Sequence, residues 1–226
     1  MNQKAAILIP TILGREHYLN ALLSTLKNQL YFENETTKNA RWSLPEEGSK
    51  TAIFHGHFDA SGVLLPVLII VDKDNRERTI GEKRNFLTDL AINQGATHRA
   101  FIDDDDMVEP NYLALNAPGI IGDYDCNSLV GIYSCNGHTD PNKHIFIHSL
   151  KYTHWYEDDK YYYRNPNHLN FIKLDLIKDI KFQHKNEGED GCFSEELFRL
   201  QRLKNEYEIT QPFYNYLFRT KAEGQV

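Results

Sequence analysis

The chain has 226 residues and a mass of 26.3 kDa, enough for one domain with a substantial core. Hydrophobic residues make up 41% and charged residues 25%, a balance that excludes disordered and fibrous classes. A formal net charge of −7 argues against a protein that coats nucleic acid by its overall charge, and leaves a local basic patch open. Cys126, Cys135 and Cys192 are odd in number and form no CxxC pair, so neither a disulfide framework nor a Cys-rich zinc site is indicated. The apolar runs are too short for a bilayer span and the polar Met1–Lys4 is no signal peptide; the expectation is a cytoplasmic protein without a membrane anchor.

Ala5–Pro10 (AAILIP) reads as a buried strand ended by proline. Leu19, Leu22, Leu23, Leu26 and Leu30 then recur with helical spacing and place one leucine stripe against a core. From Tyr31 to about Leu65 periodicity is lost and Asn, Thr, Pro, Gly and charge accumulate, which predicts an insertion or long loop. Pro66–Asp72 reads as a second buried strand and Lys73–Thr79 as a charged turn. A helix over about Gly81–Asn93 follows, with Phe86, Leu87, Leu90 and Ala91 facing the core and Gly95 as its cap.

Ala100–Ile102 is a third strand and runs into Asp103-Asp104-Asp105-Asp106. This β-α-(insertion)-β-α-β order is the signature of a doubly wound parallel sheet, which binds ligands beyond the carboxyl ends of its strands. In the second half, Leu129–Ser134 and His144–Leu150 read as strands, Tyr152–Tyr163 as a hairpin or exposed wall, and Ser194–Leu203 as an amphipathic helix.

Four carboxylates at a strand end repel one another unless a cation or hydrogen-bond donors balance them. Mg²⁺ or Mn²⁺ together with a substrate diphosphate supplies that balance. Asp72, at the end of the second strand, brings another acid to the same rim, where Thr11, Arg15 and the helix-opening Lys83-Arg84-Asn85 also lie. Basic residues at a helix start suit phosphate oxygens. Gly188-Glu189-Asp190-Gly191 reads either as a helix cap or as a carboxylate poised to take a proton from an acceptor hydroxyl.

AAILIPT, IIVDKD, EKRNFLTDLAINQGA, FIDDDDMVEPNYL and NEGEDGCFSEEL occur in an order that resembles the family-2-like glycosyltransferases of the GT-A fold. The resemblance implies a Rossmann-like, doubly wound mixed sheet in a single domain, from which the insertion after the first helix is a departure. Residues 1–112 would then be the nucleotide-sugar half and 113–226 the acceptor half. It implies a nucleotide-sugar donor, of UDP type, gripped by Pro10, Thr11, Arg15 and Asp72, with Arg84 and Asn85 near the diphosphate. It also implies Asp103 and Asp105 as metal ligands for Mn²⁺ or Mg²⁺, Asp103 or Asp104 near the ribose, and Asp190 as the base of an inverting transfer. His168, Asn170 and Glu189 fall on the acceptor side. Two further departures stand out: Lys73-Asp74-Asn75-Arg76 replaces the family's glycine and serine, and no histidine follows His184, leaving Asn215 or His168 to stand in as a further metal ligand.

The acceptor is less determined. The small size and the richness in Asn, Lys and Tyr resemble phage-encoded members of this group, some of which glycosylate hydroxymethylated pyrimidines in duplex DNA. Lys151, Lys160 and Arg164, interleaved with aromatics, suit phosphates. A saccharide or lipid-linked acceptor is the rival. A nucleotide- or metal-binding module without transfer activity, and a two-metal nucleic-acid enzyme, are the remaining classes.

Overall fold

The computed structural model describes residues 3–32 and 50–220. Strand β1 (Ala5–Ile12) is central, parallel to β3 (Val63–Asp74) on one side and to β4 (His98–Phe101) on the other. Its unbroken apolar run serves two layers because side chains alternate across a strand. Ala5, Ile7 and Ile9 pack with Leu19, Leu22, Leu23 and Leu26 of α1 (Glu16–Lys27). Ala6 and Leu8 pack on the other face with Leu87 and Ala91 of α2 (Ile80–Asn93). The expected α/β, doubly wound order of the first hundred residues is the one observed.

Several boundaries differ from the sequence expectation. β1 continues through Pro10 to Ile12, since pairing with β4 stops at Leu8 and only the β3 side remains engaged beyond it. Part of the expected Tyr31–Leu65 loop is strand: β2 (Lys50–Ala60) and β3 form a long antiparallel hairpin turning at Ser61-Gly62. The remainder, residues 33–49, lies outside the described residues. Phe86 is exposed rather than buried and lies under the Arg78 guanidinium at 5.1 Å. Gly95 caps α2 in the left-handed region, at φ +73°.

The chain builds a second mixed sheet where a single one was expected. The first has the order β12-β6-β11-β4-β1-β3-β2 and the second β5-β13-β7-β8-β10-β9. In the second, β5 is Met107–Val108, β7 Leu129–Cys135, β8 Ile145–His148, β9 Tyr156–Glu157, β10 Tyr161–Arg164 and β13 Tyr214–Phe218. The first sheet is completed by β6 (Cys126–Asn127), β11 (Ile172–Lys173) and β12 (Glu206–Tyr207). Helix α3 (Tyr112–Ile121) joins the α1 face of the core, and α4 (Glu189–Leu200) the α2 face. α4 begins five residues earlier than expected, so Glu189 and Asp190 sit in its first turn.

The start of α2 is docked against the segment that precedes α4. Thr79 and Glu82 form a capping box, Ile80 N donates to Asn186 Oδ1 (3.1 Å), and Gly81 N donates to Lys185 O (3.2 Å). The Asn85 side chain bonds both backbone groups of Phe182, at 2.8 and 2.9 Å. A Cβ on Gly81 would lie 1.8 Å from the Gln183 carbonyl oxygen, a backbone atom with no rotamer to escape into. We expect Gly81→Ala to cost about 1–3 kcal/mol by overpacking. Thermal unfolding of the purified variant checks this, and an unchanged midpoint contradicts the docking.

Candidate active site

A cavity of about 590 Å³ opens beyond the carboxyl ends of β1 and β4. One wall carries Pro10, Thr11, Arg15, Arg84 and Asp103–Asp105; the other carries Glu189 and Asp190 at the start of α4, with Arg164 at the end of β10 and Asn167 and His168 beyond it. Tyr133, Phe146, Tyr162 and Tyr216 of the second sheet close it with an aromatic surface. The register that pairs Tyr216 with Tyr133 and Tyr162 with Phe146 brings these rings to one face. Gly131, opposite Phe146, leaves the room its ring needs: a Cβ there would lie 2.2 Å from the ring.

The four aspartates are balanced by four different sets of donors. Asp103 pairs with Arg84 (2.9 Å), and its other oxygen lies 3.8 Å from His168 Nε2. Asp104 accepts from Thr11 Oγ1 (2.5 Å) and Arg15 Nη1 (2.6 Å). Asp105 pairs with Arg15 (2.7 Å) and Arg219 (3.1 Å). Asp106 accepts from Tyr214 OH (2.7 Å) and Leu217 N (2.8 Å). Burial pushes Asp104 up to about 6 against the pull of Arg15 and Thr11, and raises Asp106 well above the usual carboxylate range. For Asp103 burial acts upward too, but Arg84 overcomes it and holds the carboxyl below that range.

Arg84 is buried and also meets Glu189, with the Phe101 and Phe182 rings each 5.7 Å from its guanidinium. Burial opposes its charge, yet Asp103, Glu189 and Asp190 together raise its pKa. Glu189 is raised by burial despite Arg84. Asp190, beside it, lines the cavity, and its Oδ1 accepts from Gly191 N (2.8 Å).

Ten of the predicted residues therefore meet at one cavity: Pro10, Thr11, Arg15, Arg84, Asp103, Asp104, Asp105, His168, Glu189 and Asp190. Three do not line it. Asp72 was expected at a strand end, but β3 runs on to Asp74; Asp72 is buried with Arg78 (2.7 Å) and Thr51 (3.0 Å). Asn85 is spent on the Phe182 backbone rather than near a diphosphate. Asn170 is an internal strut between Asn127 O, Asn167 N and His148 Nδ1. The start of α2 likewise offers no ready anion site through Ile80, Gly81 or Glu82, whose N–H groups already have acceptors. Asn215 bonds Glu109 (2.8 Å), away from the cavity; Arg219, four residues on, is the one that reaches Asp105. Tyr162 lies in the aromatic stretch read as a hairpin or wall, but Arg219, Asn167, Tyr133 and Tyr216 carry no local sequence signal, because pairing across the second sheet is what gathers them.

Asp103 and Asp105 offer hard oxygen donors to the cavity, as Mg²⁺ and Mn²⁺ require. Among the described residues no group of three His, Cys, Asp or Glu side chains is placed to hold a metal ion. The donor set fits a cation that takes one or two carboxylates from the protein and the rest from substrate phosphates and water.

No protein-family model matches the chain, and no curated protein sequence matches it. Its fold is that of S. aureus TarS. The crystal structure of TarS 1-349 in complex with UDP-GlcNAc superposes with a TM-score of 0.57 at 15% identity, over 99% of this chain and 62% of that one. The complex with UDP gives 0.55 at 15%, over 95% and 60%, and the longer TarS structure gives 0.56 at 15%, over 95% and 37%. The chain thus spans about three fifths of TarS 1-349. Among the described residues no helix is long and apolar enough to cross a membrane.

The Asp104 environment sets a pH dependence. With a folded pKa of about 6 against an ordinary 3.8, the native state holds the extra proton between those values. The stability this brings is complete below about pH 4 and is lost as pH rises through 6. We expect the wild type to lose up to roughly 3 kcal/mol over that interval through this group, a loss absent in Asp104→Asn. Chemical denaturation of both proteins at pH 4, 5, 6 and 7 measures the difference, and parallel curves refute the assignment.

Proposed function

We propose that the protein is a glycosyltransferase that moves a sugar from a nucleotide sugar, of uridine diphosphate type, to an acceptor hydroxyl. One observation carries this reading: Asp190 shares a single cavity with the arginine-bound Asp103–Asp105 wall, at the carboxyl ends of β1 and β4. The fold is that of a protein crystallised with UDP-GlcNAc and with UDP. Arg15 and Arg84 supply guanidinium groups on the donor wall, with Arg219 bonded to Asp105, and a diphosphate entering there exchanges with their carboxylate partners. Asp190 accepts the proton of the acceptor hydroxyl as its oxygen attacks the anomeric carbon. The carbon–oxygen bond to the diphosphate breaks from the opposite side, and the sugar inverts.

Mn²⁺ or Mg²⁺ held at Asp103 and Asp105 would neutralise charge on the departing diphosphate. The acceptor, a DNA-borne hydroxymethyl group or a saccharide, enters along the aromatic face of the second sheet. There Tyr133, Tyr162 and Tyr216 exclude water and offer ring faces to a sugar or a base.

Thermal unfolding with UDP and UDP-GlcNAc, each with and without Mn²⁺, tests the donor half. The expected result is a rise in midpoint that requires metal and disappears in Asp105→Ala; no shift with either nucleotide overturns the reading. Asp190→Asn is expected to lower turnover of the donor by roughly 10²–10⁴-fold while keeping the UDP-induced shift. Undiminished turnover removes Asp190 as the base.

A further inference from the structure

The segment Arg164–His168 leaves β10 and returns to the first sheet on a backbone fixed from several sides. Phe101 N and Arg99 Nη1 donate to His168 O, at 2.9 and 3.2 Å. Asn165 Nδ2 donates to Ser194 O (2.9 Å), Ser194 Oγ to Pro166 O (2.9 Å), and Asn167 N to Asn170 Oδ1 (3.0 Å). From this rigid support Arg164, Asn167 and His168 line the cavity.

Their polar groups are left over. Asn167 is completely buried; its Oδ1 accepts from Leu169 N (3.0 Å), while its Nδ2 has no acceptor among the described residues. Both ring nitrogens of buried His168 are likewise without a hydrogen-bond partner there. The Arg164 guanidinium stacks on the Trp155 ring at 4.2 Å and forms no ion pair among the described residues. Arg15 and Arg84 of the same cavity each hold a carboxylate, and Arg219 reaches the cavity only through its pair with Asp105. A buried donor without an acceptor costs about 1–3 kcal/mol, so such groups mark where a ligand belongs. A guanidinium and an amide NH₂ can only donate, and their complement is a negative group with several acceptor oxygens.

We propose that Arg164 and Asn167 form a subsite for a phosphate-type oxyanion carried by the acceptor. The assignment to the acceptor rests on the reading of Asp190 as base, since Asp190 is the carboxylate whose charge acts most on Arg164. It also rests on position: Arg164 ends β10 of the second sheet, the strand that carries Tyr162 of the aromatic wall, whereas Arg15 and Arg84 belong to elements packed around the first sheet. The aromatic stack beneath Arg164 holds the guanidinium flat and partly dehydrated, which strengthens its hydrogen bonds to an anion.

Inorganic phosphate is the probe, titrated calorimetrically into the ligand-free protein and into protein saturated with UDP. We expect phosphate affinity to fall about tenfold or more in Arg164→Met and in Asn167→Asp, the loss of one charge-assisted hydrogen bond. It should be unchanged in Lys160→Met, an exposed cation of the same hairpin, and phosphate should still bind when UDP is present. Equal phosphate affinity in all four proteins, with unfolding midpoints retained, overturns the subsite. Displacement of phosphate by UDP, with weakened UDP binding in Arg164→Met, gives the site to the donor diphosphate and overturns the acceptor assignment. Failure of UDP to bind the wild type overturns the donor reading alone, because the UDP-free titration of the variants still decides the subsite.

Discussion

Arg84 lies under the cavity between Asp103, just past the end of β4, and Glu189, in the first turn of α4. A guanidinium this deeply buried costs several kcal/mol in lost hydration, and only close opposite charge in a low-dielectric setting offsets it. The cost falls on all three partners, so removing any one leaves a buried charge uncompensated. The pair of ion pairs therefore acts as a tie that sets where α4 begins relative to the first sheet. The Phe101 and Phe182 rings beside Arg84 keep water from weakening it. Asp190 inherits its place in the cavity from that tie, one residue on from Glu189.

The four consecutive aspartates follow the same logic. Left together in water-poor surroundings they would repel strongly, yet each has its own set of donors, with Arg15 shared between Asp104 and Asp105. Asp104 and Asp106 are buried where the neutral form is favoured, and Asp103 and Asp105 stay at the cavity with arginines. Asp103, Asp104 and Asp105 face the cavity, each against an arginine, and Asp106 is turned away from it to Tyr214 and Leu217. An incoming diphosphate or cation meets paired charges, and binding becomes an exchange of partners rather than the filling of an unbalanced hole. Exchange of this kind makes the affinity of the site sensitive to any change in the arginine set.

Much of the first half was legible because its signals are local. The leucine stripe of α1 repeats with the helical period of 3.6 residues, and the apolar run of β1 and the aspartates after β4 are contiguous, so all three lie on the face of the sequence. The T-x-x-E capping box at Thr79–Glu82 was readable as well, and would have set the start of α2 one residue earlier than Gly81. Asp72 was misplaced because the charged Lys73-Asp74 suggested a turn, whereas Lys73 and Asp74 are buried and extend the strand. The second sheet was hard to see for a different reason. Its strands are short, several have two to five residues, and their pairings join positions far apart in the chain, such as Tyr214 with Val108 and Gly131. No local period encodes such pairing: the Tyr152–Tyr163 hairpin and the strands near Leu129 and His144 are legible, but β13, which completes the aromatic wall with Tyr216 and leads to Arg219, is not.

The aspartate run also marks the place where the chain passes from one sheet to the other. β4 belongs to the first sheet and β5, which begins at Met107, to the second. Asp103 is tied to α2 through Arg84, Asp104 to β1 through Thr11, Asp105 to Arg219 beyond β13, and Asp106 to Tyr214 and Leu217 within β13. Four successive carboxylates thus fasten three separate parts of the molecule, α2, β1 and β13 with the residue after it, to one turn. A turn that must bridge two sheets has few backbone partners of its own, and side-chain acceptors supply the missing connections. The same need explains why the acids cannot be spread along a single helix or strand, where period would point them to one face. Structural fastening and ligand chemistry consequently share one segment: Asp106 secures the junction away from the cavity, while Asp103, Asp104 and Asp105 fasten their neighbours and face the cavity at once.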